Sequence, residues 1–89
     1  MDRIRVEHVD SKEVEQRDIT SWGQWEKGPS EFDWEYSSEE QCYIIEGRAR
    51  VATEDGEVDI EKGDFVVFPV GLKCRWKVEE KIKKYYTFR

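Results

Sequence analysis

Hydrophobic and polar residues alternate along most of this chain, as they do in β-strands that bury one face. The first alternating segment is RIRVEHV near the start, and from Phe32 onward several more follow, with turn-forming residues between them. The Asp55-Gly56 pair is the strongest hairpin signal among these turns. Ser11 is expected to cap a short helix or turn. The segment SWGQWEKGPS is expected to form a loop.

The choice of hydrophobic residues supports the same interpretation. Valine and isoleucine far outnumber leucine, which occurs once, at Leu72, and aromatic residues make up 13% of the chain. β-Branched and aromatic residues favour the pleated surface of a sheet over a helix. We therefore predict an all-β fold, a sandwich or barrel of short strands, in one domain over residues 1–89.

Alternation also assigns each strand residue to a face of the sheet. The residues predicted to face inward are Trp34, Tyr36, Glu40, Cys42, Ile44, Ala49, Val51, Val58, Ile60, Val66, Phe68, Cys74, Trp76 and Val78. Those predicted to face outward are Arg48, Arg50, Lys73, Arg75 and Lys77. Glu40 is the acidic residue of the inward set. A carboxylate buried among apolar side chains needs a cationic partner, a metal ion or a proton.

The charge balance excludes several classes of partner. A net charge of −6 disfavours general nucleic-acid binding, and no apolar run is long enough to span a membrane, so we expect a cytoplasmic protein. The lysines of KVEEKIKKYYTFR are expected on the solvated face of a strand. A high charged fraction of 40% and the lack of asparagine are typical of proteins from heat-loving organisms. Small domains are often stabilised by association, so we also expect a homodimer, with RIRVEHV at a sheet edge.

The two cysteines, Cys42 and Cys74, are too few for the disulfide framework of a small secreted domain. Free cysteine is most often a small buried apolar residue, and we expect this role for both. A disulfide between them stays open as an alternative. So does a metal site that uses their thiolates together with Glu40.

Two spaced motifs suggest a family. The first runs from Gly28 to Gly47, with Trp34, Tyr36 and Glu40 between the two glycines. Its spacing matches the first cupin motif, Gly-x5-His-x-His-x3-4-Glu-x6-Gly, although both histidines are replaced.

The second motif runs from Gly63 to Val78, through Pro69, Gly71 and Cys74. It matches the second cupin motif in spacing, with Cys74 in place of the histidine and Val78 in place of the asparagine. The chain therefore resembles the cupins, and more narrowly the small cupins grouped with the ureidoglycine aminohydrolase domain and the ethanolamine-utilisation cupins. This resemblance implies a double-stranded β-helix, or jelly-roll-like barrel, preceded here by a short strand and a helix or turn.

The resemblance also implies a metal held by histidines and a glutamate, but of the four matching positions only Glu40 is retained. The one histidine, His8, lies outside both motifs. Indole has no lone pair to offer a metal, and phenol is an uncommon ligand. We therefore predict no cofactor, and keep a divalent ion held by Glu40 and Cys74 as an alternative.

We predict that the barrel interior binds a small organic ligand, such as a sugar or a ring-bearing metabolite. Its walls are expected to be Trp34, Tyr36, Cys42, Phe68 and Trp76. If the protein is an enzyme, Glu40, Cys74 and Tyr36 are the candidate catalytic residues, and proton transfer in an isomerisation or epimerisation is favoured over hydrolysis. The alternative is a non-catalytic binding module or a dimeric interaction module. Trp22 and Trp25 are expected to pack outside the barrel or against a dimer partner.

Overall fold

A computed structural model describes residues 4–89 of the chain and shows an antiparallel β-protein with one short helix in that range. The strands are β1 (Arg5–His8), β2 (Gly23–Lys27), β3 (Ser30–Glu35), β4 (Glu40–Thr53), β5 (Gly56–Glu61), β6 (Asp64–Phe68) and β7 (Lys73–Phe88). Helix α1 (Ser11–Gln16) and a 3₁₀ turn (Ile19–Ser21) lie between β1 and β2. The predicted all-β fold is confirmed. No helix of the described residues is long and apolar enough to cross a membrane.

Two long strands, β4 and β7, run side by side and each belongs to two sheets. The first half of β4 pairs with β6, and its second half pairs with β5. In the same way the first half of β7 pairs with β3, and its second half with β2. One sheet thus has the order β1-β6-β4-β7-β2 and the other the order β5-β4-β7-β3. The two sheets face each other because both long strands bend at their centres.

The bend lies where the pairing of β4 with β7 shifts register, between Ile44 and Ala49. Gly47 stands at this point with a φ of 83°, a left-handed conformation that glycine adopts without strain. Its Cα also faces the backbone carbonyl of Lys81 so closely that a side chain would collide with it. The bend of the two strands therefore depends on a residue without a side chain.

The apolar faces of the two sheets meet in one core. Its fully buried members include Trp76, Phe68, Ile44, Ile60, Ile82, Val51, Val66 and Cys42. The predicted inward face is confirmed throughout except at its rim, since Trp34 is 49% exposed and Val58 is only partly buried. The arginines and lysines predicted to face outward are all exposed.

A second apolar cluster covers the outside of the first sheet. Val14 of α1 and Ile19 of the 3₁₀ turn pack there against Phe65 and Val67 of β6. Strand β6 is therefore buried on both faces. Trp22 packs against this cluster, with its ring centroid 6.2 Å from that of Phe65, in agreement with the predicted place outside the barrel.

Two local predictions are wrong. The helix is capped by Asp10 rather than Ser11, and the Asp10 carboxylate accepts a hydrogen bond of 2.9 Å from the backbone N–H of Glu13. The segment predicted as a loop contains strand β2, which pairs with β7 from Gly23 to Lys27. The hairpin predicted at Asp55-Gly56 is confirmed, although its two turn residues are Glu54 and Asp55, and Gly56 begins β5 opposite Thr53.

Strand β1 lies at the edge of its sheet, as predicted, and pairs with β6 on one side. Its Val6 is 40% exposed. Association of two chains through this edge stays a prediction.

The bend at Gly47 leads to a stability prediction. Gly47→Ala places a methyl group against the Lys81 carbonyl and forces alanine into a left-handed conformation, so we expect the free energy of unfolding to fall by about 2 kcal/mol or more. Urea denaturation followed by tryptophan fluorescence measures the loss. Gly28→Ala is the matched control, because no atom lies within 4 Å of the added methyl group. Equal stability of the two variants would contradict the role of Gly47.

Candidate functional site

A buried ion pair joins the two long strands inside the barrel. Lys84 of β7 donates a hydrogen bond of 2.7 Å from Nζ to Oε2 of Glu40 at the start of β4. Glu40 is 3% exposed and Lys84 is 6% exposed. In the ladder of β4 with β7, the backbone pair Cys42–Tyr86 lies between the positions of Glu40 and Lys84, and the ion pair spans it. The carboxylate thus has the cationic partner that its burial requires.

Aromatic rings surround the Lys84 ammonium. Its Nζ lies 4.8 Å from the ring centroid of Trp76, 4.9 Å from that of Trp25 and 5.9 Å from that of Phe68. Ring faces carry negative charge density and attract a cation within about 6 Å. The rings and Glu40 together therefore compensate a positive charge that is removed from water.

A cavity of about 230 Å³ opens beside this ion pair. Its lining residues are Trp25, Phe32, Trp34, Tyr36, Glu40, Trp76, Lys84, Tyr86 and Phe88. Trp34 and Phe88, each 49% exposed, stand at the rim, whereas Glu40 and Lys84 form the polar floor. The cavity is thus aromatic on its walls and charged at its base.

Tyr36 lies over the floor beside Glu40. Its ring stacks on that of Phe68, with centroids 4.9 Å apart and planes 10° apart. Burial, and next the nearby Glu40 carboxylate, raise the pKa of the Tyr36 phenol far above its usual range. The phenol therefore stays protonated and offers a hydrogen-bond donor at neutral pH.

The two cysteines are free, and neither belongs to the lining of the cavity. Cys42 is fully buried in the core, and burial raises the pKa of its thiol to about 12. The Cys74 thiol donates a hydrogen bond of 3.6 Å to the backbone carbonyl of Trp34, and burial raises its pKa to about 11. Both thiols are protonated at neutral pH, whereas the thiolate is the reactive form of cysteine.

The structure brings together part of the predicted site. Trp34, Tyr36, Glu40 and Trp76 all line the cavity, whereas Cys42, Phe68 and Cys74 do not belong to its lining. Phe68 supports the cavity wall, because its ring packs against the rings of Tyr36 and Trp76.

Two residues of the site were assigned elsewhere from the sequence. Trp25 was expected outside the barrel, but it contacts Trp76 with ring centroids 6.2 Å apart and lines the cavity. Lys84 was expected on a solvated strand face, but it is buried. The alternation that places Trp76 and Val78 inward continues in phase through Ile82 to Lys84, so the pattern itself contained this information.

Comparison with known proteins assigns the fold to a family. The EutQ-like cupin domain family matches residues 14–86. The chain belongs to this family. Among curated proteins, none matches the chain.

Solved structures agree with this assignment. A DUF861 family protein from Thermotoga maritima is 45% identical, with a TM-score of 0.93 over 98% of this cupin and 100% of that chain. The EutQ protein of Clostridium difficile is 19% identical, with a TM-score of 0.69 over 96% of this chain and 66% of that one. A putative ethanolamine utilization protein Q from Salmonella typhimurium is 17% identical, with a TM-score of 0.69 over 98% and 69% of the two chains. The last two share the fold.

The residues at the metal-binding positions of the cupin motifs do not fit a metal ion. Trp34 offers no lone pair, a phenol such as that of Tyr36 is an uncommon ligand, and Cys74 does not belong to the cavity lining that Tyr36 and Glu40 share. The Lys84 ammonium compensates the negative charge of Glu40, and it would repel a metal cation placed beside this carboxylate. Nowhere in residues 4–89 do three histidine, cysteine or acidic side chains come together in a way that could hold a metal.

The buried ion pair leads to a second stability prediction. Lys84→Met leaves the Glu40 charge buried without its partner, so we expect the free energy of unfolding to fall by about 3–5 kcal/mol. Urea denaturation measures this loss. Lys81→Met is the control, because Lys81 and Glu26 form an exposed pair 3.8 Å apart and its removal should change stability by less than about 1 kcal/mol.

The double variant Glu40→Gln with Lys84→Met removes both charges. It should be more stable than Lys84→Met alone, since no uncompensated charge remains. A double variant that is no more stable than the single one would show that Glu40 does not depend on Lys84.

The buried thiol of Cys42 makes stability depend on alkaline pH. Its pKa is 9.0 in the unfolded chain and about 12 in the fold, so between these values the unfolded chain releases a proton that the folded chain keeps. The free energy of unfolding therefore falls as the pH rises above 9.0. Cys42→Ala removes this contribution, and its free energy of unfolding should fall less steeply than that of the wild type. Urea denaturation at about pH 8 and about pH 10.5 gives the loss of unfolding free energy between these two pH values for each protein. An equal loss in the wild type and in Cys42→Ala would show that the Cys42 thiol does not cause it.

Proposed function

We propose that this cupin binds a small ring-bearing organic ligand in its barrel and does so without a metal ion. The observation that carries the proposal is the aromatic cavity with the Glu40–Lys84 pair at its floor. Ligand sites in proteins are typically concave and apolar, with a few polar groups that fix the orientation of the ligand.

The walls favour a flat ligand. Trp76 and Phe32 present rings whose planes are only 7° apart, and Trp25 meets both of them edge-on. Such surfaces stack on an aromatic ring or on the apolar face of a sugar. A volume of about 230 Å³ corresponds to roughly seven or eight water molecules, so a ligand with one ring fits and a dinucleotide does not.

The floor supplies polar contacts that suit proton transfer. Glu40 accepts hydrogen bonds, and the neighbouring Tyr36 phenol and Lys84 ammonium donate them. If the cupin is an enzyme, Glu40 is the proton acceptor and donor in an isomerisation or epimerisation of the bound ligand. Lys84 and Tyr36 are better placed to assist this proton transfer than Cys74, whose thiol donates a hydrogen bond to the Trp34 carbonyl.

The metal-dependent activity that the resemblance implies for related cupins is not part of the proposal. The Lys84 ammonium instead supplies the positive charge that faces Glu40. Binding without turnover would identify the cupin as a binding module with the same pocket.

The rim of the cavity offers a test of ligand binding that spares the fold. Benzyl alcohol, as a probe with one ring, should raise the melting temperature of the wild type and quench its tryptophan fluorescence. Trp34→Ala should weaken this binding about tenfold, the loss of roughly 1.4 kcal/mol of ring contact. The variant should keep its stability, because Trp34 is half exposed.

Val70→Ala is the matched control, since Val70 is 61% exposed and lies outside the cavity lining. It should bind benzyl alcohol as the wild type does. Absence of binding to the wild type, or equal binding by Trp34→Ala, would overturn the proposed site.

A further inference from the structure

Among the lysines of residues 4–89, Lys84 alone lines the aromatic cavity and offers its primary amine there. The Lys84 side chain is 7% exposed. The side chain of Lys81, three residues earlier on the same strand, is 56% exposed. The proposed function uses Lys84 as a counter-charge and hydrogen-bond donor. It leaves unused the ability of a primary amine to bond covalently to a carbonyl carbon.

Amine catalysis of this kind needs three things in one place. The amine must be able to lose its proton, an acid must later protonate the departing hydroxyl, and water must be kept away from the product. Glu40 at 2.7 Å is placed to accept the ammonium proton and to return it to the hydroxyl, and the aromatic walls leave the Lys84 side chain only 7% exposed to water.

We propose that Lys84 forms a Schiff base with a small ring-bearing aldehyde or ketone, and that Glu40 carries the protons. This inference rests on the proposed function and specifies the ligand class of the same pocket. It requires no metal and no redox partner.

The steps balance in atoms and charge. The Lys84 ammonium passes a proton along the 2.7 Å bond to Glu40, which leaves a neutral amine and a neutral carboxylic acid. The amine nitrogen adds to the carbonyl carbon, and a proton moves from nitrogen to the former carbonyl oxygen to give a carbinolamine. Glu40 then protonates the hydroxyl group, water leaves as the nitrogen lone pair forms the C=N bond, and an iminium cation remains beside the Glu40 carboxylate.

The surroundings of Nζ suit the product as well as they suit the free lysine. An iminium carries the same positive charge as the ammonium and stands at the same atom. The rings of Trp76 and Trp25, at 4.8 and 4.9 Å, and the Glu40 carboxylate therefore stabilise it in the same way. Schiff-base formation thus leaves no new charge uncompensated in the barrel.

Tyr36 and the cavity walls determine which carbonyl compound fits. The protonated Tyr36 phenol, beside Glu40, can donate a hydrogen bond to the carbonyl oxygen under attack. The ring of the ligand would lie against the wall formed by Trp76, Phe32 and the rim residue Trp34. These contacts favour an aromatic or cyclic carbonyl compound over a short-chain one.

Reductive trapping tests the proposal on the full chain. The protein is incubated with benzaldehyde at limiting concentration, reduced with sodium borohydride and digested, and benzylated lysines are located by mass spectrometry. We expect Lys84 to be labelled at least about tenfold more than Lys81, although a reaction governed by exposure would favour Lys81. Labelling that follows exposure would overturn the proposal, and this readout needs no variant.

Variants add an independent check. Glu40→Gln keeps the amine and removes the proton carrier, so labelling of Lys84 should slow about a hundredfold. Lys84→Arg keeps the charge and should abolish the labelled site, whereas Lys81→Met should leave it unchanged. Unchanged labelling of Lys84 in Glu40→Gln would show that Glu40 does not carry the protons and would overturn that part of the proposal.

Benzyl alcohol separates this inference from the proposed function, because it has the same ring without a carbonyl group. If it binds and protects Lys84 from benzaldehyde, both the pocket and the Schiff base are supported. If it binds while Lys84 remains unlabelled by benzaldehyde, the pocket stands and the Schiff base is overturned. If neither compound reaches the cavity, both proposals fail.

Discussion

The buried pair of Glu40 and Lys84 is the interaction on which the interior of this barrel depends. A single charge at 3% or 6% exposure would be costly without a partner, and each side chain supplies the partner of the other. The pair also links β4 to β7, the two strands that both sheets share. Trp25, Trp76 and Phe68 are arranged around the ammonium, so the packing of the core and the charge at its centre depend on each other.

The bend of the long strands places this pair at the floor of a cavity. Because β4 and β7 each change sheet near Gly47, the two halves of β7 lie in facing sheets, where one half pairs with β3 and the other with β2. These two strands bring Phe32, Trp34 and Trp25 to the cavity walls. The same bend lets two sheets close on one core without additional strands. Scaffold and cavity therefore follow from one feature of the backbone.

The comparison with the cupin motifs shows a scaffold kept and a site changed. The glycines that shape the turns remain at their spacing, whereas the histidine positions hold Trp34, Tyr36 and Cys74. The ammonium of Lys84, which lies on β7 beyond the last residue of the second motif, faces Glu40, the one retained acidic position. The chemistry proposed for this site is accordingly that of an amine and a carboxylate.

The sequence by itself determined the class of fold, the inward face and the hairpin at Asp55-Gly56, because strand alternation and turn preference are local properties. It also identified Glu40 as a buried carboxylate in need of a partner. The partner itself was decided by tertiary structure, since Lys84 stands 44 residues away in the chain and meets Glu40 through the pairing of β4 with β7. Trp25 joined the cavity for the same reason: its strand is recognisable only once it pairs with β7. Long-range strand pairing selects which side chains share a site, whereas the alternation along one strand shows only which face each residue occupies.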